Sequence, residues 1–328
     1  MPALRLMPAT GETLERILDD TYPVWGDGLT REAYARFNAA QLKTDWGSAH
    51  LQRLALLDGS RLLSSAKRYD FTGTLDGRRV KILGIAAVFT PAAERGRGQA
   101  KVLIEQMLAD AAARGVDLAL LFSEIGPRYY EQLGFRVVPV DDVMVEVERK
   151  PGAPAMLVRA GEERDYAEIA GMHAARAAGY RFSLDRPVDY VAYAIAKKRL
   201  FAGLSRAGHR GAQFFVAEEG GRAVAYLVMT VSRLRGRRGE HWGIEECGDR
   251  DPTGARLGAM LQVLLARAPG EQPPVIRTWL PTDFRPPQVS ALTRVPSATI
   301  MMMRPVDPRH SPPDLKADDL IYWRGDAF

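Results

Sequence analysis

A chain of 328 residues, 46% hydrophobic and 26% charged, has the balance of a folded globular protein long enough for two domains, which excludes disorder on a large scale. Its net charge of +5, carried largely by arginine, suits a phosphate-rich ligand, and the lack of a basic helix or of a basic run interleaved with aromatics argues against a nucleic-acid partner. Cys247 is the single cysteine, the five histidines are scattered and no apolar run approaches ~18 residues, so the expectation is a cytoplasmic protein without disulfide, metal or membrane partner.

The first residues read directly as a strand, Ala3 to Met7, without the apolar core of a signal peptide. Thr10 and Thr30 are placed to cap two helices, one carrying Leu14, Ile17 and Leu18, the other Tyr34 and Phe37. Strands are expected at 51–57, 61–70 and 79–89, with Asp58-Gly59 and Asp76-Gly77 as hairpin turns, which makes an antiparallel meander. The third strand runs through Pro91 into Arg95-Gly96-Arg97-Gly98-Gln99-Ala100-Lys101, the opening of an amphipathic helix whose apolar face includes Leu103, Met107 and Ala111.

The first amides of a helix have no partner within it and lie at the positive end of its dipole, so an anion there is both hydrogen-bonded and electrostatically favoured. Glycine lets the anion approach, and Arg95, Arg97 and Lys101 add charge, so a phosphate or pyrophosphate is the expected guest. A Rossmann dinucleotide site is excluded by the missing third glycine and the missing acidic ribose partner. A strand at 118–123 completes a βαβ unit within a mixed sheet, and 137–140 and 143–148 close a first domain over 1–150.

Residues 151–154 read as a linker, after which a second domain over 155–307 repeats the order: a strand at 156–159, helices at 166–178 and 189–200, strands at 214–218, 223–231 and 241–246, a helix at 255–268 and a last strand at 297–305. The loop before its last helix, Gly248 to Ala255, places Asp249 and Asp251 where phosphate would lie, so this copy is expected to bind no anion. The basic run 233–238 reads as a solvated hairpin tip. A tail, 308–328, ends on Ile321, Tyr322, Trp323 and Phe328, too apolar for a solvated extension.

Two motifs in order give the chain a resemblance. Arg95-x-x-Gly98-x-Ala100 is similar to the pyrophosphate loop of the GCN5-related N-acetyltransferases, and Tyr129-Tyr130-Glu131-Gln132-Leu133-Gly134-Phe135 looks like that family's next motif, about 25 residues on. The resemblance implies a tandem GNAT fold of mixed α/β class with the second copy degenerate. It also implies acetyl-CoA bound through Arg95 to Lys101, Val88 contributing a backbone amide opposite the thioester oxygen, and Tyr130 as general acid. A phenol of pKa near ~10 can protonate a thiolate whose conjugate acid lies near ~8.5 and keep its own proton at neutral pH.

Glu124, His50, Asp45 and the carboxylate at Phe328 are candidates for the base that receives the proton of the ammonium. The tail is similar to tandem members of the enhanced-intracellular-survival type, in which the C-terminal carboxylate returns to the first active site; those relatives carry a further, sterol-carrier-like domain. Val88-Phe89-Thr90-Pro91 is also similar to fungal lysine acetyltransferases, favouring a small amine acceptor such as an amino acid, polyamine or aminoglycoside-like molecule. Tyr22, Trp25 and Trp46 are candidate walls of the acceptor pocket, with the second domain as its roof. A non-catalytic acyl-CoA-binding regulator, a protein-lysine acetyltransferase and a homo-oligomer stay open.

Overall fold

The computed structural model describes residues 4–149, 152, 154–205, 210–232, 240–268 and 273–328. The basic run 233–238 and residues 151 and 153 of the linker lie outside the described residues. The chain forms two compact units, the first made of 1–139, 298–315 and Phe328, the second of 140–297 and 316–327.

In the first unit β1 (Arg5–Pro8) leads into α1 (Gly11–Trp25), α2 (Arg31–Gln41) and α3 (Asp45–His50), followed by β2 (Leu51–Asp58), β3 (Arg61–Leu75) and β4 (Arg78–Phe89). Then come α4 (Gln99–Ala113), β5 (Leu118–Ser123), the short α5 (Arg128–Glu131) and β6 (Arg136–Val137). Thr30 caps α2 by accepting from the Ala33 amide at 3.1 Å. Thr10 sits at the N-cap of α1 in extended conformation but makes no side-chain cap bond, and α1 runs on through Pro23 to Trp25. The β3–β4 turn is read correctly: Asp76 and Gly77 have φ of 49° and 76°, the paired positive values of a two-residue hairpin whose twist matches its strands.

The sheet of this unit runs β1-β2-β3-β4-β5, then Ile300–Pro305, the fifteenth strand of the chain (β15), then β6. β4 and β5 are parallel with α4 crossing between them, and the remaining pairs are antiparallel. On one face Leu54, Ala66, Leu83, Ile85, Ala119 and Leu121 pack against Leu103, Ile104, Met107 and Ala111 of α4.

The second unit repeats this plan. It contains β7 (Asp141–Val147), β8 (Leu157–Ala160), α6 (Tyr166–Ala177), β9 (Phe182–Leu184), α7 (Val188–Leu204), β10 (Arg210–Glu219), β11 (Arg222–Ser232), β12 (His241–Asp249), α8 (Ala255–Arg267), β13 (Val275–Thr278) and β14 (Val289–Pro296). Its sheet order is β14-β7-β13-β12-β11-β10-β8, with β12 and β13 parallel around α8. β16 (Leu320–Ile321) pairs with β9.

Read from the first edge, β1-β2-β3-β4-β5-β15-β6 corresponds position by position to β8-β10-β11-β12-β13-β7-β14. The sixth place in each sheet is therefore filled by a strand from the opposite half of the chain. This corrects the contiguous division at 150 and 155. The strand expected to close the first domain, β7, lies between β13 and β14, and Val143, Val145 and Val147 enter the second unit's core. The strand expected to end the second domain, β15, pairs with β5, and Met302 enters the first unit's core. Alternation shows that such a strand has a buried face, but not which core receives it.

Candidate active site

The site in the first unit grows from the way β4 ends. Its pairing with β5 runs from Ile82 opposite Leu118 to Ile85 opposite Leu121 and stops there. On the other side the register with β3 shifts, Lys67 facing Ala86 and Ser65 facing Phe89, so Ala87 and Val88 together oppose one residue. Ala87 carries the extra residue with φ of 47°, unusual for a side chain other than glycine. A bulge of this kind bends its strand and frees backbone from the ladder, here beside the gap between two parallel strands.

The chain then turns through a short 3₁₀ segment, Ala92–Glu94, to Gly96 and Gly98, with φ of 75° and 77°. Gly98 is the N-cap of α4, and no side chain caps the helix. A Cβ built on either glycine meets no atom within 4 Å, so the space before the helix amides is open. The surrounding cations have separate duties. Arg95 Nε donates to the Thr90 carbonyl at 3.1 Å and its guanidinium lies over Phe89, which holds the turn. Arg97 pairs with Glu94 at 3.3 Å and Lys101 with Glu105 at 3.8 Å, both through well-exposed cation side chains, and exposed pairs of this type are weak enough to yield to a phosphate.

Tyr130, on α5, is buried in the same cluster as Ile85 and Leu121, with Val88 and Tyr129 packed at its margin. Its ring meets Tyr129 and Phe135 edge-on, at centroid distances of 5.1 and 6.1 Å. Burial, with the neighbouring Tyr129 as a smaller cause, pushes the Tyr130 phenol up to about 12. It therefore holds its proton throughout the neutral range.

The sheet face opposite α4 carries an aromatic box. Phe328 lies 4.8 Å from Tyr69, 5.2 Å from Phe71 and, edge-on, 5.3 Å from Phe122 between ring centroids. Trp46 stacks on Phe71 at 5.4 Å and on His50 at 5.1 Å. Gly84 is the floor: a Cβ there would come within 2.8 Å of both Phe328 and Phe71. Of the expected wall residues, Trp46 joins this box, and Trp25 meets Phe89 edge-on at 6.2 Å, at the end of β4. Tyr22 instead spends its hydroxyl on the Leu29 carbonyl, at 3.0 Å, closing the turn between α1 and α2.

Among the candidate bases, Phe328 and His50 come together in the box, whereas Glu124 and Asp45 are exposed, one past the end of β5 and the other in the first turn of α3. Tyr69, Phe71, Phe122 and Gly84 were not singled out from sequence. The available signal was a glycine inside an apolar strand, opposite a strand carrying aromatics at alternate positions.

The second unit reaches the same backbone turn and closes it. Gly254 caps α8 with φ of 75°, but the Asp249 carboxylate accepts from the Leu257 amide of the first turn and from the Asp251 amide, each at 2.8 Å. A Cβ on Gly254 would meet Phe284 at 2.9 Å and Pro286 at 3.0 Å, and Gln288 crowds Gly258. The anion position is filled by the protein itself. Among the described residues no group of His, Cys, Asp and Glu is arranged to hold a metal ion.

These features define a fold of the GNAT class. Residues 14–138 match the family model described as the acetyltransferase (GNAT) domain. No curated protein matches the chain in sequence. Solved structures share the fold over 93% of the chain. One is a probable N-acyltransferase from Enterococcus faecalis, with 18% identity, TM-score 0.67 and 73% of its own length covered. Another is a GCN5-related N-acetyltransferase from Anabaena variabilis, with 13% identity, TM-score 0.66 and 73% covered. Eis1 from Mycobacterium abscessus matches with 14% identity, TM-score 0.58 and 74% covered. The fold is thus a tandem GNAT fold of two mixed sheets with a degenerate second copy.

Proposed function

We propose that the first unit transfers an acetyl group from acetyl-CoA directly to the primary amine of a small molecule, an amino acid, a polyamine or an aminoglycoside-like compound. The observation that carries this reading is the open, uncapped N-terminus of α4 behind Gly96 and Gly98, one turn away from the place where β4 parts from β5. A pyrophosphate fits there because the first-turn amides of Gln99, Ala100 and Lys101 lack partners within the helix and the glycines leave room. Bound acetyl-CoA supplies a thioester whose carbonyl carbon the amine attacks.

The chain's own groups then have these roles. The Val88 amide at the bulge donates to the thioester oxygen, where negative charge builds as the amine adds. Tyr130 O–H gives its proton to the departing sulfur, and a phenol held at about 12 is protonated when that moment comes. The carboxylate carried by Phe328 receives the proton of the acceptor ammonium, and its ring, seated on Gly84, fixes it in place. Glu124, exposed past β5, is the alternative proton acceptor.

Thiol release with a panel of primary amines tests the reading. Steady turnover with at least one amine is expected, and Tyr130→Phe should lower kcat about 100-fold with little change in the KM for acetyl-CoA. Acetyl-CoA binding without turnover of any amine would replace the enzyme with an acyl-CoA-binding regulator. Turnover confined to protein lysines would move the acceptor to a protein.

A further inference from the structure

The second candidate site lies in the first unit, on the sheet face away from α4. Leu14 and Leu18 of α1, Asn38 and Leu42 at the end of α2, and Leu51 and Arg53 of β2 line a cavity of about 250 Å³. Most of this lining is hydrocarbon. Its charged members are Glu15, Arg36, Lys67 and Arg53, and of these Arg53 is the buried one.

Arg53 is only 6% exposed. Its Nη2 donates to Asn38 Oδ1 at 3.1 Å, while Nη1 has no hydrogen-bond partner. Among the described residues no carboxylate lies within ion-pair range of it. Burial lowers its pKa, and what opposes the shift is the phenol of Tyr34, through its charge and a side-chain hydrogen bond, and then the phenol of Tyr69, rather than any acid. Glu15, on the rim, is largely exposed and already paired with Arg31 at 3.2 Å.

The other deeply buried arginine among the described residues shows what such a group ordinarily requires. Arg186, in the second unit, is fully enclosed and is met by two carboxylates, Glu246 and Asp326. A guanidinium taken out of water without an anion is costly, and a cavity beside it is where the missing anion can enter.

We infer that this cavity binds a small molecule carrying a carboxylate on a short apolar chain, its carboxylate paired with Arg53 and its chain laid along Leu14, Leu18, Leu42 and Leu51. The planar fork of the guanidinium matches a carboxylate in two-point geometry, and the apolar walls reject a heavily hydrated phosphate. Arg53 pairs across the sheet with Lys67, and Lys67 with Ala86, so the cavity stands two strands from the point where β4 leaves β5 and is distinct from the α4 entrance. The site does not depend on the acetyl-transfer reading.

Titration calorimetry of the full chain with hexanoate, and with hexanamide as the neutral match, tests it. Hexanoate is expected to bind saturably and at least ~10-fold more tightly than hexanamide, and Arg53→Met should erase that preference. Removing an unpaired buried charge should leave the variant folded, as a melting curve shows. If Arg53→Met does not fold, Leu42→Trp, which fills the cavity from its rim, must abolish hexanoate binding while its melting curve shows the fold retained. Equal affinity for the acid and the amide, no binding of hexanoate up to ~10 mM, or hexanoate binding unchanged by a folded variant overturns the proposal.

Discussion

The entrances to α4 and α8 are built on the same backbone and reach opposite ends. Each helix begins on a glycine in the left-handed region, Gly98 with φ 77° and ψ 10°, Gly254 with φ 75° and ψ 17°. Each follows a long strand that runs parallel to the strand after the helix. In α4 the ground before the first amides is empty, whereas in α8 the Asp249 carboxylate, Phe284 and Pro286 occupy it. The difference teaches that an anion cradle is not conferred by the glycine turn alone. It needs first-turn amides left without an internal partner, because a carboxylate already hydrogen-bonded to them satisfies the helix end and repels any second anion.

The strongest way to break the comparison is to give α4 the acid of α8. Gly98→Asp should lower affinity for CoA about 100-fold, roughly 2.7 kcal/mol, because it adds strain at positive φ and places a negative charge on the pyrophosphate position. Calorimetry with CoA reads the loss. Retained affinity would show that α4's entrance is not the cradle.

Acid sharpens the contrast from the other unit. His173 accepts from Trp323 Nε1 at 3.2 Å through Nδ1, which leaves its Nε2–H to donate to the Leu184 carbonyl at 3.1 Å, so the folded state uses the neutral ring. Burial, aided by the charge of Arg186, lowers it to about 4. The unfolded chain therefore binds the proton first, and the stability this residue contributes is complete above pH ~6.5 and is lost as pH falls toward 4, in total roughly 3 kcal/mol. Urea unfolding of the second unit followed by tryptophan fluorescence should show this slope, and His173→Gln should flatten it.

Smaller effects are expected at two further positions. Gly84→Ala should cost about 1–3 kcal/mol and weaken turnover, since the new methyl group displaces the Phe328 ring. Kinetics of the variant beside wild type would show whether the seat of Phe328 matters. Asp249→Ala should cost about 1 kcal/mol by uncapping α8 and yet create no second CoA site, because Phe284 and Pro286 still fill the space. A binding stoichiometry of one per chain checks this, and a stoichiometry of two would mean that the acid alone had closed the second entrance.

Much of the α4 entrance was legible from local chemistry. Gly96 and Gly98 announced positive φ, Asp249 and Asp251 announced a blocked helix end, and Asp76-Gly77 announced its hairpin, since each of these acts within a few residues of chain. The aromatic box was less readable. Trp46, Tyr69, Phe71, Phe122 and Phe328 are far apart in sequence, and nothing local says that all five meet above Gly84. Arg53 lies on an expected strand, and nothing local in the sequence says that it is buried.

By itself the sequence determined the two-copy plan and which copy keeps the entrance of its helix open, because hydrophobic period, turn residues and charge at a helix start are short-range properties. Tertiary structure alone decided where each copy's sixth strand comes from, β15 for one sheet and β7 for the other. The reason is that an apolar edge pairs equally well with any complementary ladder in register, and the choice between two such ladders depends on the folded position of the whole chain.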